Sequence, residues 1–176
     1  MATPRIDMGG HSALVAVDPS LAATGVALMT NFVDLLLVRA RLVQGPKSGT
    51  MAQRCDAVCD AVLAACPPPI DGAAVIIERP RINVVTRGGK ADPDDLIKLA
   101  ILVGALARTF TRAGCTVVMI EPHTWKGQVP KDITKERVDW ALCPEEKQRI
   151  ELPSAAGLAH NVYDAIGIAL WGAGRY

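Results

Sequence analysis

The stretch "SALVAVDPSLAATGVAL" (residues 12–28) sets two apolar runs on either side of Asp18-Pro19. "ALVAV" (13–17) is short, apolar and continuous, the pattern of a fully buried strand. "TGVALMT" (24–30) resumes after a brief turn, as the second arm of a hairpin. Asp18 therefore stands where a buried strand meets a turn. An aspartate before proline can simply start that turn. It can equally be one arm of a metal site, and the rest of the chain has to separate the two.

Working outward, "DLLLVRARLV" (34–43) reads as a third strand, with Val38, Ala40 and Leu42 alternating with Arg39 and Arg41 so that one face is half exposed. "GPKSGT" breaks the chain. "MAQRCDAVCDAVLAAC" (51–66) follows as an amphipathic helix, stopped by Pro67, Pro68 and Pro69. "AAVIIE" (73–78) is the next buried strand, and like the first it ends on a carboxylate. The loop 79–92 is rich in Arg, Lys and Gly. A long helix is predicted over 93–114, with Pro93 near its first turn, Asp94 and Asp95 at its positive end and Gly114 stopping it. "CTVVMIE" (115–121) is a third buried strand ending on an acid. A second basic loop (122–132), a short helix (134–142) and a final helix (156–174) complete the chain. Three antiparallel-looking strands before two strand–helix alternations predict a mixed α/β sheet flanked by helices.

At 176 residues the chain has the length of one domain, and residues 12–176 are expected to form it behind a flexible leader, 1–11. Half of the residues are hydrophobic and 21% are charged, which excludes wholesale disorder. No apolar run approaches the ~18 residues of a bilayer span, so no membrane partner is expected. The start "MATPRIDMGGHS" lacks the basic end and apolar stretch of a secretory signal. The five cysteines (Cys55, Cys59, Cys66, Cys115, Cys143) are odd in number and form no CxxC pair. That argues for a reducing, cytoplasmic setting and against a zinc module or disulfide framework. Cys55 and Cys59, one helical turn apart, read as core filler. A net charge of +1 exerts no global pull on nucleic acid, so a polyanion must be held by local patches.

Asp18 and Glu78 each end a strand. If those strands are neighbours, their last side chains converge at the edge where open α/β sheets place ligands. Asp164 is the third candidate, lying in "VYDAIGIALW" among Val162, Ala165, Ile166 and Ile168. A charge on the packed side of a helix needs a partner, and His160 at i−4 and Asn161 at i−3 share its face. Clustered carboxylates repel, and one takes up a proton unless a cation compensates. Oxygen ligands select Mg²⁺ or Mn²⁺, and two such ions can activate a water, steady a leaving oxygen and cut a phosphodiester in line. Each acid has a plainer reading: Asp18 in turn chemistry, Glu78 in a surface ion pair, Asp164 half buried and capped by Tyr163 or solvent. The three together are harder to explain that way.

"VAVDPSLAATGVAL", "VIIERP" and "HNVYDAIGIALW" resemble, in order and spacing, the RuvC family of Holliday junction resolvases within the RNase H-like superfamily. "EPHTWKGQVPKDITKERV" is similar to that family's lysine-bearing segment, and the likeness, closest to phage-type members, covers nearly the whole chain. It implies an α/β, RNase H-like fold: a five-stranded mixed sheet, three antiparallel strands first, with helices on both faces. It implies a homodimeric, Mg²⁺-dependent endodeoxyribonuclease of a bacterial or phage-infected cell, with two ions and Mn²⁺ as a substitute. Such an enzyme makes paired nicks across a four-way junction and leaves 5′-phosphate and 3′-hydroxyl ends.

Residue by residue, Asp18, Glu78 and Asp164 match the family's catalytic, metal-binding acids. Lys126, after Thr124, matches a lysine near the scissile phosphate, and Lys131 or Lys135 a second functional lysine. The chain departs from the pattern in three places. Asn161 stands where Asp or His is usual before the last aspartate, and the histidine is displaced to His160, so either side chain can face the metal. Arg81 stands near where an aromatic wedge often follows the glutamate, and guanidinium stacking can substitute for it. Ser20 replaces a glycine common after Asp-Pro.

The loop 79–90 carries Arg79, Arg81, Arg87 and Lys90 with no acid, and 126–137 carries Lys126, Lys131, Lys135 and Arg137 against Asp132 and Glu136. A charge run is commonly just a solvated face. Both of these flank the acids, however, and a phosphate backbone beside carboxylates needs cations. Such loops bind salt-sensitively and largely by shape, and Gly88-Gly89 would let the first one move. A four-way junction has approximate two-fold symmetry, which a C2 dimer reads economically. The helix 93–113, apolar over more than one face, supplies either the dimer seam or a buried core element. The rival readings are a RuvX-like nuclease acting on RNA and a junction-binding protein that no longer cuts. Asn161 favours the second rival; the intact acids favour the nuclease.

Overall fold

β1 (Ala13–Asp18) and β2 (Ala23–Asn31) form the expected hairpin, paired antiparallel from Ala13 opposite Thr30 to Asp18 opposite Gly25. Its turn is closed by Ser20 and Thr24. The Ser20 N–H donates to Thr24 Oγ1 at 3.1 Å, and the Thr24 hydroxyl donates back to the Ser20 carbonyl at 2.7 Å. The amides of Ala22 and Ala23 donate to Ser20 Oγ at 3.3 Å. Ser20 thus brings to the turn a hydroxyl that glycine would lack. The computed structural model describes residues 10–11, 13–31, 35–67, 69–81, 92–127, 129 and 131–176. Arg87, Lys90, the Gly88-Gly89 pair and the expected leader up to residue 9 lie outside them.

β3 (Leu35–Gln44), β4 (Ala74–Glu78), β5 (Thr116–Ile120) and β6 (Ile150–Glu151) complete one sheet in the order β5-β4-β1-β2-β3-β6. β1, β2 and β3 are antiparallel, while β4 runs parallel to β1 and β5 parallel to β4. Among the described residues six strands stand where five were expected. The extra one is two residues long, paired with β3 at Ala40–Ile150 and Arg41–Glu151, too short to show a period in sequence. β5 is not a buried strand: Thr116 and Met119 are exposed, because it is an edge strand whose one neighbour is β4.

The helices are α1 (Met51–Ala65), α2 (Pro93–Arg112), α3 (Pro122–Trp125), α4 (Lys131–Ala141), α5 (Pro144–Lys147) and α6 (Ala159–Gly172), the last preceded by a 3-10 turn. The segment expected as a basic loop over 122–132 thus contains α3 and the start of α4. Alternation along β1 sends Ala13, Val15 and Val17 to one face, where they meet Val58 and Val62 of α1 and Leu102, Leu106 and Phe110 of α2. Cys55 and Cys59 lie in the same core. Leu14 and Ala16 point the other way, packing with Ile76 of β4, Ile166 and Ile168 of α6 and Val138 of α4. Even-numbered residues of β1 and β4 therefore share the α6 face, and the same two-residue period puts Asp18 and Glu78 there. α6 crosses β2 so closely that a Cβ at Gly25 would collide with the Asn161 carbonyl.

The end of the chain is fastened by a buried ion pair. Arg175 meets Glu146 with both nitrogens, Nη1–Oε1 and Nη2–Oε2 each at 2.7 Å, and Glu146 is 2% exposed. The Glu146 carboxylate also accepts from the amides of Leu37 (2.7 Å) and Cys143 (3.0 Å), and the guanidinium donates to the carbonyls of Leu35 and Ala141. Both carboxylate oxygens and both terminal guanidinium nitrogens of this forked pair are thereby answered, as a buried charge requires. Among the described residues no helix is long and apolar enough to cross a membrane.

Candidate active site

Val17 of β1 faces Ile77 of β4, so Asp18 and Glu78 follow side by side at the carboxyl ends of two adjacent parallel strands. α6 lies over this edge and carries Asp164, 6% exposed in an otherwise apolar helix. Its partner is Lys126. The ammonium lies 3.2 Å from Asp164 Oδ2 and 4.0 Å from Glu78 Oε2, so one positive charge stands between two carboxylates from different elements. Spacing along α6 had offered His160 and Asn161 as its neighbours, but the hydrogen bond comes from α3's end, 38 residues away.

α3 makes that reach possible. Pro122 starts a single helical turn, and the Lys126 N–H bonds the Pro122 carbonyl at 3.1 Å. Trp125 and Lys126 thereby emerge together at the sheet edge. The Trp125 indole N–H donates to Glu78 Oε2 at 2.7 Å, and the Lys126 ammonium stands 4.7 Å above the centre of the Trp125 ring. Burial pushes the Glu78 carboxyl above its ordinary pKa, and the Asp164 charge adds to that, while Lys126 and the indole N–H pull it back.

The remaining candidates are placed as follows. Asn161 is buried, and its amide nitrogen donates to the Ala23 carbonyl at 2.6 Å, fastening α6 to β2. His160 Nδ1 lies 2.8 Å from the Gly157 carbonyl. Its ring borders a cavity of about 320 Å³ together with Lys135, Leu152, Tyr163 and Asp164. Lys135 holds its ammonium 5.6 Å from the Tyr163 ring centre. Lys131 belongs to α4. Among the described residues no group of three or more His, Cys, Asp or Glu side chains is close enough to hold a metal ion. The site is built as a pair, Glu78 and Asp164 about Lys126, with Asp18 beside Glu78 on the next strand.

Arg79 and Arg81 are half exposed and share Glu121, the acid that follows β5. Arg79 Nη2 lies 2.7 Å from Glu121 Oε1 and Arg81 Nε 3.6 Å from Oε2, while His123 Nδ1 is 3.2 Å from Oε2. Neither Glu121 nor Trp125 emerged as a functional residue from the sequence. The signals were there: a third strand-ending acid, and a tryptophan directly before the matched lysine.

No protein-family model and no curated protein sequence matches the chain. Solved structures do. Thermus thermophilus RuvC in complex with its Holliday junction substrate superposes with a TM-score of 0.60 at 18% identity, over 91% of both chains. The chain shares its fold with Holliday junction resolvases. The fowlpox virus resolvase in complex with Holliday junction DNA matches at a TM-score of 0.54 and 12% identity, covering 90% of this chain and 94% of that one. The yeast mitochondrial Holliday junction resolvase Ydc2 matches at 0.52 and 13%, covering 94% and 79%.

Proposed function

We propose that the chain is a structure-selective endodeoxyribonuclease that resolves four-way or other branched DNA by divalent-metal-dependent phosphodiester hydrolysis. It works as a homodimer making paired nicks that leave 5′-phosphate and 3′-hydroxyl ends. The observation carrying this reading is the convergence of Glu78 and Asp164 on Lys126 where β1 and β4 end. The shared fold with resolvases supports it.

The donor set fits a hard divalent ion. Two carboxylates from separate elements already enclose one positive charge, and carboxylate oxygens suit Mg²⁺ or Mn²⁺. Glu78 and Asp164 would hold one such ion, and a second would require Asp18 to draw in beside them from the next strand. Bound there, the ions supply water activation and charge neutralisation on the phosphate. Lys126, released from the carboxylates, then reaches a phosphate oxygen beside the scissile bond. His160 borders a cavity that Asp164 also lines, and Asn161 keeps α6, and with it Asp164, at its height over β2. Arg79, Arg81 and Lys135 flank the acids and take the DNA backbone, with Arg87, Lys90 and Lys131 on the same two segments of chain.

Dimerisation is supported by α2. Ile97 and Ile101, one turn apart, are 60% and 49% exposed, and Gly104 continues the stripe with open space above it. An exposed apolar stripe of this kind marks a contact surface. The test is Mg²⁺-dependent nicking of a synthetic four-way junction, beside linear duplex and structured RNA, by wild type and Asp164→Asn. Junction cutting lost in the variant is expected. Preference for RNA would favour the RuvX-like reading, and tight junction binding without cutting the scaffold reading.

A further inference from the structure

We infer that Trp125 is a positioning residue for the proposed nuclease centre: its indole N–H fixes the rotamer of Glu78, so that one carboxylate oxygen is committed to the protein and the other stays available to a cation. This rests on the nuclease reading above. Trp125 is 4% exposed, and a buried indole needs a partner for its N–H. The partner is the ionisable group at the end of β4, at 2.7 Å, and the indole is the one group hydrogen-bonded to Glu78 among the described residues.

The ring itself has no freedom to swing away. On one side it lies against Gly167 of α6, where an added Cβ would collide with its six-membered ring. The Tyr176 ring meets it edge-on with centroids 5.7 Å apart, and the Lys126 ammonium covers a face. One side chain thus ties the β4 carboxylate to the helix that carries Asp164 and to the lysine between the two acids. Groups that orient a metal-binding carboxylate in this way typically govern metal affinity by 10–100-fold, roughly the cost of losing them.

Trp125→Phe keeps the aromatic packing and removes the donor. Mn²⁺ uptake followed by electron paramagnetic resonance should weaken about 10–100-fold, with a melting temperature close to that of wild type. Gly167→Ala, which pushes the ring off Glu78, should weaken uptake in the same direction. In wild-type protein labelled with ¹⁵N-tryptophan, one of the three indole N–H groups should be protected from solvent exchange and lose that protection in Glu78→Gln. A Phe variant that takes up Mn²⁺ as tightly as wild type overturns the inference, as does the absence of a Glu78-dependent protected indole should that variant not fold. A wild type that takes up no Mn²⁺ overturns the nuclease reading beneath it. The two failures differ, since the first needs a wild type that binds.

Discussion

Lys126 Nζ sits 3.2 Å from Asp164 Oδ2, on chain segments 38 residues apart, and gives a largely buried aspartate its counter-charge. Glu78 shares the same ammonium at 4.0 Å. Removing the lysine leaves two carboxylates facing each other. Lys126→Met should destabilise the free protein by about 1–3 kcal/mol. Mg²⁺ at about 100 times its Kd should return about 2.7 kcal/mol. Nicking at saturating Mg²⁺ should fall about 10²–10³-fold. Thermal unfolding with and without Mg²⁺, beside a nicking assay, checks both effects, and a variant indifferent to Mg²⁺ would count against a cation site here.

Asp18 ends β1 and Asp164 lies inside α6, yet the proposal gives them one task. Asp18→Asn and Asp164→Asn should each lower junction cleavage by about 10⁴-fold while leaving junction binding intact or tighter, because a carboxylate facing a phosphate is removed. Gel-shift titrations in Ca²⁺ and nicking time courses in Mg²⁺ measure the two separately. Undiminished cutting by the Asp18 variant would remove that residue from the centre.

Glu121 holds Arg79 and Arg81 much as a phosphate would. Glu121→Gln should free both guanidiniums, raise affinity for junction and linear DNA alike, and steepen the salt dependence by about one to two ions. Folding should change little, since exposed pairs contribute about 0–1 kcal/mol. Binding isotherms over a range of salt decide it: an unchanged or shallower slope would mean that Glu121 orients the arginines rather than occupying them.

Acid should loosen the fastening at the end of the chain. Burial alone drives the Glu146 carboxyl up, but Arg175 and the amides of Leu37 and Cys143 outweigh it and bring it down to about 2. An unfolded glutamate titrates near 4.3. The lowered folded value means that the ionised pair stabilises the protein by of order 3 kcal/mol above that pH, and that this is lost as pH falls from about 4.3 towards 2. Arg175→Ala should cost about 3–5 kcal/mol near neutrality by leaving the carboxylate buried and unanswered. Urea unfolding across this pH window measures both.

The exposed stripe on α2 predicts a separation of assembly from folding. Ile97→Glu with Ile101→Glu should yield a monomer by sedimentation, with a melting temperature within a few degrees of wild type, because neither side chain contributes to the core. Paired nicking should become single nicking.

Much of this molecule was legible in its residues. The strand ending on Asp18, the strand ending on Glu78 and the apolar helix around Asp164 were read from local periodicity. An aspartate among isoleucines and alanines announced that it needed a partner. β5 misled because "TVVMI" is as apolar as an interior strand, and only the sheet order reveals it as an edge. β6, two residues long, carries no period at all.

Sequence by itself determined that Asp18 and Glu78 end strands and that Asp164 lies in an apolar helix, since the two-residue period of strands and the 3.6-residue period of helices are local properties of the chain. Only the tertiary structure decided who answers them: Lys126 beside Asp164, the Trp125 indole on Glu78, Glu121 between two arginines, and Asn161 spent on the Ala23 carbonyl rather than turned to the acids. Those pairings join segments tens of residues apart. They follow from the parallel register of β1 and β4 and from α6 lying close over Gly25, and distances of that kind are set by packing, which no local period encodes.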